Sequence, residues 1–311
     1  MKLLIAYDGS KCADAALDDL RQAGLPTSME VLVLSVADVI MPSGGPEASD
    51  PAWVLAAIEK ARARCAHAVE EARAAAFSAS KRIHDEFPDW QVRAEAVADS
   101  PAWAIIEKAR AWKADLVWVG AHGHSGTGRL ILGSVSQRVV ADACCSVRVA
   151  RGFTGKTNTP LKLIVGVDGS RDSDIALQEV AARAWPVGSE VRLVTVIDSA
   201  MSAALAFSSL DPTAAGWATK KSIDTPTLVR RMNEAAAEKL SSRLAVSSLV
   251  REGNPKAILV RQAKRWKADC IFVGAKGLRG IERFLIGSVS LAVASRATCS
   301  VEVVRSKSAR T

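Results

Sequence analysis

The chain has 311 residues, of which 49% are hydrophobic and 24% charged, a balance typical of a globular protein of about two domains. No apolar run approaches the roughly 18 residues that span a bilayer, and the N-terminal run turns polar at Asp8, so we expect neither a membrane partner nor a signal peptide. The net charge of +8 would suit a nucleic-acid surface, but basic residues mix with acids along predicted helices, which favours a solvated surface and no specific nucleic-acid partner.

The six cysteines argue against a disulfide framework. They form no Cys-x-x-Cys pair, and most lie in apolar periodic segments, where a free cysteine acts as a small hydrophobic residue. We therefore expect reduced thiols and a cytoplasmic location. The adjacent Cys144 and Cys145 could sense redox state, although nothing nearby in the sequence supports that role.

The sequence contains one unit twice. KLLIAYDGS from Lys2 returns as KLIVGVDGS from Lys162, and CSVRVAR from Cys145 returns as CSVEVVR from Cys299. The offset falls from 160 to 154 residues, so the second unit is shorter in its middle. Each unit has the size of a small domain. We predict domains over residues 1–152 and 160–311, joined by a polar linker at 153–159.

Hydrophobic patterning predicts alternating strands and helices in each unit. In the first, strands are expected at LLIAY, VLVLSV, QVRAEAV, DLVWVG and SVRVA. Helices are expected over Asp14–Ala23, from Ala52 onward, from Pro101 and after Ser134. The second unit repeats the strands as LIVGV, VRLVTVI, SSLVRE, CIFVG and SVEVV. This order predicts two tandem doubly wound, Rossmann-like α/β domains, each with a five-stranded parallel sheet.

Three short segments follow strands at the edge where such folds bind ligands. Ligands of doubly wound sheets lie beyond the carboxyl ends of the strands, where the strand order reverses. Asp8-Gly9-Ser10 follows the first strand, residues 36–38 end the second, and Gly120–Gly123 follows the fourth. We therefore expect a binding site among these segments.

The glycine segment after the fourth strand occurs in both units. VGAHGHSGTGRLILGSVS has glycines at 120, 123 and 133, and VGAKGLRGIERFLIGSVS has them at 274, 277 and 287. Glycine lets another group approach the backbone, and Ser134 is the expected N-cap of a helix whose first amides favour an anion. The three glycines occur at the same positions in both units, whereas most of the side chains between them differ. The pattern therefore predicts phosphate binding by backbone amides.

These motifs resemble the universal stress protein family, and the resemblance spans both units. The family's nucleotide-binding branch carries Gly-x2-Gly-x9-Gly-(Ser/Thr), which both glycine segments match. The resemblance implies an adenine nucleotide alpha hydrolase-like fold and a stress-response protein that binds ATP, with Mg or Mn carried on the phosphates. The implied binding residues are Asp8, Val36, Gly120, Gly123, Gly133, Ser134 and Val135 in the first unit, and Asp168, Val196, Gly274, Gly277, Gly287, Ser288 and Val289 in the second.

The resemblance also implies roles and partners. Asp8 and Asp168 would lie beside the ribose and adenine, and the backbone of Val36 and Val196 would read the adenine edge. The last strands of the two units would pair across an internal pseudo-dimer interface. A further homodimer and an unidentified protein partner are also implied.

One family feature differs between the units. A Gly-x-Pro turn follows the third strand in the family, and the second unit keeps it as Gly253-Asn254-Pro255. The first unit has Asp99-Ser100-Pro101, where the acid would crowd or repel a bound nucleotide. We therefore expect the second site to bind more tightly than the first.

Other signals are weaker. Residues 150–157, ARGFTGKT, fit a relaxed Walker A pattern, but a proline and a strand follow where the motif needs a helix, so we interpret the match as coincidence. His122 and His124 lack a nearby carboxylate or cysteine and are interpreted as phosphate-facing or exposed rather than as metal ligands. Arg129 and Arg283 lie at matching positions between the glycines. They could pair with phosphates or lie on a solvated helix face, and the sequence favours neither role.

The predicted activity is binding rather than catalysis. No nucleophile with a base and no pair of catalytic carboxylates can be placed at the strand ends. The alternative is a slow ATPase or self-phosphorylating enzyme that uses the same pocket. A third possibility is an apolar ligand covered by the stretch from Ser199 to Thr225, which by composition also suits a mobile loop.

Overall fold

The computed structural model describes residues 1–39, 51–123, 132–152, 159–199, 201–202, 225–240, 244–277 and 286–306. Strands and helices alternate along each half of the chain. The strands are β1 (Lys2–Ala6), β2 (Glu30–Ala37), β3 (Gln91–Ala98), β4 (Leu116–Gly120), β5 (Ser146–Ala150), β6 (Lys162–Gly166), β7 (Glu190–Ile197), β8 (Ala245–Glu252), β9 (Cys270–Gly274) and β10 (Ser300–Val304). The helices with bounds in the described residues are α1 (Lys11–Asp18), α2 (Ala52–Glu86), α3 (Pro101–Ala111), α4 (Ser134–Asp142), α5 (Arg171–Ala182), α6 (Thr225–Glu238), α7 (Pro255–Trp266) and α8 (Ser288–Arg296).

The first turn of each half forms as its sequence dictates. In Asp-Gly-Ser, the glycine takes a left-handed conformation, with φ of +76° at Gly9 and +79° at Gly169. The serine then caps the helix, since Ser10 Oγ accepts from Ala13 N–H at 3.1 Å and Ser170 Oγ accepts from Ser173 N–H at 3.2 Å. Each half therefore turns sharply from its first strand into its first helix.

The first predicted helix is shorter than expected. The sequence indicated one helix over Asp14–Ala23, whereas α1 ends at Asp18 and a 3-10 helix follows over Asp19–Gln22. Asp19 is 3% exposed, and its carboxylate accepts hydrogen bonds from Arg148 and from Ser300. These partners lie far along the chain, so the break depends on tertiary contacts rather than on helix propensity.

All ten strands join one sheet, in the order β3-β2-β1-β4-β5-β10-β9-β6-β7-β8. Each half contributes five parallel strands, so the predicted fold class is confirmed. The halves meet where β5 and β10 pair antiparallel, with Arg148 opposite Glu302. The expected pairing of the two last strands is therefore present, and it turns two sheets into one. We call this β5–β10 pairing the seam.

The core continues across the seam on one face of the sheet. One cluster of buried residues includes Val147 and Val149 of β5, Val301 and Val303 of β10, and residues of α3, α4, α7 and α8. On the opposite face each half has its own cluster, covered by α1 and α2 in the first half and by α5 and α6 in the second. None of the described helices is apolar enough over a sufficient length to cross a membrane.

Candidate functional site

The strand order reverses between β1 and β4 in the first half and between β6 and β9 in the second. Asp8 lies at this point, with its Oδ1 accepting from Ser10 N–H at 3.0 Å. Its other oxygen faces the glycine segment: a methyl group added at Gly123 would lie 2.7 Å from Asp8 Oδ2. The second half repeats this contact between Gly277 and Asp168 at 2.8 Å. The structure therefore brings the predicted aspartate and the second glycine of each motif together.

The two ends of each glycine segment meet. Gly133 N–H donates to Ala121 O at 2.8 Å, and Gly287 N–H donates to Ala275 O at 2.7 Å. A methyl group added at Gly133 would lie 3.8 Å from the amide nitrogen of Gly123. The segment thus starts and ends at one place, as the sequence predicted. His124, Arg129 and Arg283 lie outside the described residues.

The helix after each segment begins without a side-chain cap. Gly133 has extended backbone, with φ −62° and ψ 152°, and is itself the N-cap of α4. The expectation that Ser134 caps the helix is wrong, because Ser134 is already the first helical residue, and Ser288 is likewise the first residue of α8. Glycine offers no side-chain acceptor, so the amides of Ser134 and Val135 remain a favourable place for an anion.

The first glycine of each segment is explained by packing within the chain. A methyl group at Gly120 would lie 3.2 Å from the carbonyl oxygen of Cys12, in the first turn of α1. At Gly274 it would lie 2.6 Å from the carbonyl carbon of Asp172, in the first turn of α5. A side chain at either position would push that helix away from the strand. These glycines therefore let the helix with its preceding aspartate approach the site.

Two serines that we did not single out from the sequence fix the helix start. Ser136 Oγ donates to Gly120 O at 2.7 Å, and Ser290 Oγ donates to Gly274 O at 2.6 Å. Both are buried. Each ties the first turn of α4 or α8 to the end of the neighbouring strand. The repeated letters GSVS contained this signal, since the second serine recurs in both halves as faithfully as the glycines.

Val36 lies near the end of β2, the strand next to β1, and Val196 lies near the end of β7, the strand next to β6. Pairing of β1 with β2 ends where Tyr7 N–H donates to Leu34 O at 3.0 Å. Alternate residues of a strand direct their backbone groups to the same side, so the backbone of Val36 faces the space beyond the end of β1. An equivalent bond places Val196 in the same position. Both valines therefore present backbone groups at the edge that carries Asp8 and Asp168.

The turn after the third strand differs between the halves. Gly253 has φ of +128°, a conformation that side chains rarely adopt, and Asn254 caps α7 by accepting from Lys256 N–H at 3.0 Å. Asp99 is exposed and its Oδ1 accepts from Ser100 N–H at 2.6 Å. The first half thus carries a carboxylate where the second half has bare backbone.

An apolar cluster lies beside the second aspartate. A methyl group at Gly169 would lie 3.1 Å from Met232 Sδ, whereas at Gly9 the nearest atom is Ala75 Cβ at 3.9 Å. Met232 and Ile197 pack against a buried cluster formed by Met201, Leu228 and Val229. Most of the stretch from 199 to 225 lies outside the described residues. The part that is described gives the second site a bulkier apolar neighbour than the first.

Tyr7, His122 and Cys144 have shifted pKa values. Burial and a hydrogen bond to Asp14 raise the pKa of Tyr7 to about 12. Burial and the charge of Arg151 lower the pKa of His122, which keeps its imidazole neutral near pH 7. The hydrogen bond from Cys145 lowers the pKa of Cys144 to about 6. This pair precedes β5, so it lies at the amino ends of the parallel strands, opposite the candidate site. Within the described ranges, no group of three or more His, Cys, Asp or Glu side chains could hold a metal ion.

Comparison with known proteins agrees with this architecture. A family model described as the universal stress protein family matches residues 1–151 and 161–305. A universal stress protein from Mycolicibacterium smegmatis is 27% identical over 305 residues, covering 97% of this chain and 96% of that protein.

Solved structures share the fold over the whole chain. The crystal structure of a universal stress protein from Archaeoglobus fulgidus has a TM-score of 0.62 and 19% identity, covering 99% of this chain and 98% of that one. A functionally unknown protein from Pseudomonas aeruginosa PAO1 has a TM-score of 0.58 and 14% identity, covering 98% of this chain and 92% of that one. These structures share the fold, and the match of the family model to both halves shows that the chain belongs to the universal stress protein family.

Proposed function

We propose that each half binds one adenine nucleotide, ATP, at the end of its strands, and that the protein acts in the cytoplasm as a nucleotide-dependent binding and signalling module in a stress response. One observation carries the proposal. In both halves, the start of a helix without a side-chain cap, the two joined ends of the glycine segment and an aspartate lie together where the strand order reverses. The two domains would be residues 1–152 and 160–311. Six free cysteines suit the reducing cytoplasm.

Different residues of each site would contact the phosphates, the ribose and the adenine. Backbone amides at Ser134 and Val135, and at Ser288 and Val289, would donate to phosphate oxygens, because a helix N-terminus attracts negative charge. The carboxylates of Asp8 and Asp168 would accept from ribose hydroxyls. The backbone at Val36 and Val196 would meet the adenine edge. A Mg or Mn ion would arrive on the phosphate oxygens rather than on protein ligands.

We further propose that the second site binds more tightly. Asp99 adds a negative charge to the turn after β3, whereas Gly253 presents only backbone at the same place. The apolar cluster around Met232 also stands beside Asp168 and would shield a bound base from water. Among the described residues of the first half, the atom nearest to the corresponding point at Gly9 is Ala75 Cβ, at 3.9 Å. Both differences favour the second half.

The test is calorimetric titration of ATP into the full-length protein after its bound nucleotide has been removed and identified. We expect adenine nucleotide to be released on denaturation, and two sites of unequal affinity. Gly133→Val should abolish the weaker site and Gly287→Val the tighter one, with circular dichroism as the folding control. At Gly287 the added carbon would lie 3.1 Å from Ala275 O, but at Gly133 the nearest atoms are at 3.5 Å, so Gly133→Val is the cleaner variant.

The opposite results would overturn the proposal. Near-native affinity in both folded valine variants would exclude the helix start as the phosphate site. Loss of nearly all binding in Gly133→Val alone would reverse the ranking of the sites. Steady release of phosphate, or transfer of phosphate to the protein, would replace the binding module with the slow enzyme.

A further inference from the structure

The centre of the seam contains a buried charge pair. Arg148 of β5 lies opposite Glu302 of β10, with their side chains 1% and 0% exposed. Arg148 Nη1 donates to Glu302 Oε2 at 3.3 Å. Ionised side chains are almost never fully buried unless they are paired, and here each of the two lies opposite a charge from the other half of the chain.

Two further buried groups extend this pair into a row of alternating charges. Arg148 Nε donates to Asp19 Oδ2 at 2.8 Å, and Arg183 donates to both oxygens of Glu302, from Nη1 to Oε2 at 2.8 Å. Ser300 Oγ also donates to Asp19 Oδ1 at 3.0 Å. We call Asp19, Arg148, Glu302 and Arg183 the charge row. Its order runs acid, base, acid, base, with two members from each half.

The guanidinium groups of the charge row also lie over aromatic rings. Arg148 lies 4.8 Å from the ring centre of Trp118 in the first half, and Arg183 lies 5.3 Å from that of Phe272 in the second. These cation–π contacts add attraction in a desolvated site. When a first half meets a second half, every member of the charge row thus contacts an opposite charge, and each of the two arginines also contacts an aromatic ring.

Arg148 and Glu302 occupy the same position in the two copies of the unit. CSVRVAR and CSVEVVR align these residues, and the antiparallel strands pair Val147 with Val303 and Val149 with Val301 around them. The local two-fold axis therefore passes through the Arg148–Glu302 pair. If two first halves paired by this edge, Arg148 would face a second Arg148, and two second halves would bury Glu302 against Glu302.

Several other contacts between the halves recur in both directions. Arg151 N–H donates to Ser300 Oγ at 3.2 Å, and its equivalent Arg305 N–H donates to Ser146 Oγ at 3.1 Å. Their guanidinium groups donate to helix-end and loop carbonyls of the opposite half in both cases. The facing valines are alike as well. These contacts would form between any two halves.

We propose that the charge row selects the partner of each half: β5 pairs only with a strand that carries an acid at the position of Glu302. A first half therefore joins a second half, from the same chain or from a second copy, and excludes another first half. The reason is that two like charges would then face each other without water, and each would keep only the counter-charge of its own half, Asp19 for Arg148 or Arg183 for Glu302. This selection does not depend on nucleotide binding.

Two full-length variants test the proposal by complementation. Arg148→Glu leaves acids at both seam positions, and Glu302→Arg leaves bases at both, so neither chain can close its own seam. Mixing the two restores one complete charge row, because Arg148 and Asp19 of the second variant meet Glu302 and Arg183 of the first. We expect an expanded shape for each variant alone in sedimentation velocity and a species containing one of each chain after mixing.

The matched controls are Arg151→Ala and Arg305→Ala, which remove equivalent contacts without changing the charge row. Their mixture should contain no complex beyond what each forms alone. If either charge variant fails to accumulate by itself, co-expression with a tag on only one chain replaces mixing, and the untagged chain should be recovered with the tagged one. A charge variant that keeps the compact shape of the native chain, or a pair that never associates, would overturn the proposal.

Discussion

The contact between Gly277 and Asp168 allows a small perturbation of the proposed second site. Gly277→Ala adds one methyl group at an exposed position whose φ suits any residue. That carbon would lie 2.8 Å from Asp168 Oδ2, whereas carbon and oxygen pack favourably at about 3.5 Å. The carboxylate must therefore retreat by about 0.7 Å. It cannot do so freely, because its Oδ1 accepts from Ser170 N–H at 2.9 Å.

The expected loss of affinity follows from the bond that this movement disturbs. A hydrogen bond to a charged group contributes about 1.5–3 kcal/mol, so losing the one between Asp168 and a ribose hydroxyl weakens ATP binding by about 10- to 100-fold. Gly123→Ala should have the same effect on the first site, where the added carbon would lie 2.7 Å from Asp8 Oδ2. The melting temperature should barely change, since both glycines are exposed.

Calorimetric titration of ATP into Gly277→Ala, Asp168→Ala and the double variant tests this reasoning. Once the carboxylate is gone, the added methyl group has nothing to displace, so the double variant should bind no more weakly than Asp168→Ala alone. Such non-additivity is expected of groups in contact. Native affinity in Gly277→Ala, or an undiminished loss in the Asp168→Ala background, would refute the displacement of Asp168.

Three further predictions concern other groups. Lys276→Ala should weaken ATP binding by less than about tenfold in the same titration, because a lysine ammonium acts as a point charge, whereas backbone amides supply directed donors. The hydroxyl of Tyr7, the only tyrosine, should ionise at about pH 12 when followed by tyrosinate absorbance, and at a lower pH in Asp14→Asn. Because the pKa is raised on folding, the contribution of Tyr7 to the stability of the fold is full below its ordinary pKa of 10 and is lost as the pH rises through about 12. Burial alone would raise the pKa of Glu302, but Arg183 and Arg148 outweigh it and lower the pKa, so the ionised carboxylate stabilises the fold above its ordinary pKa of 4.5 and this contribution is lost as the pH falls through the lowered value. Urea unfolding across the acid range should show this dependence in the native chain and not in Glu302→Gln.

The sequence determined those features that depend on neighbouring residues. Hydrophobic patterning located every described strand to within a residue or two, and Pro101 marked the first residue of α3. The repeat predicted one site in each half, and the family resemblance implied the pairing of the last strands. Such features follow from backbone propensity and hydrophobic period, which short segments express by themselves.

Only the tertiary structure decided how distant segments share space and charge. Gly120 is explained by the first turn of α1 that packs against it, and the end of α1 by the partners of Asp19 in β5 and β10. Arg148 and Glu302 are a single substitution between two copies in the sequence. That they form an ion pair between the two halves can be seen only in the structure, where the antiparallel seam places them opposite each other. Contacts of this kind depend on atoms more than a hundred residues apart, whose approach is set by the packed core and not by local pattern.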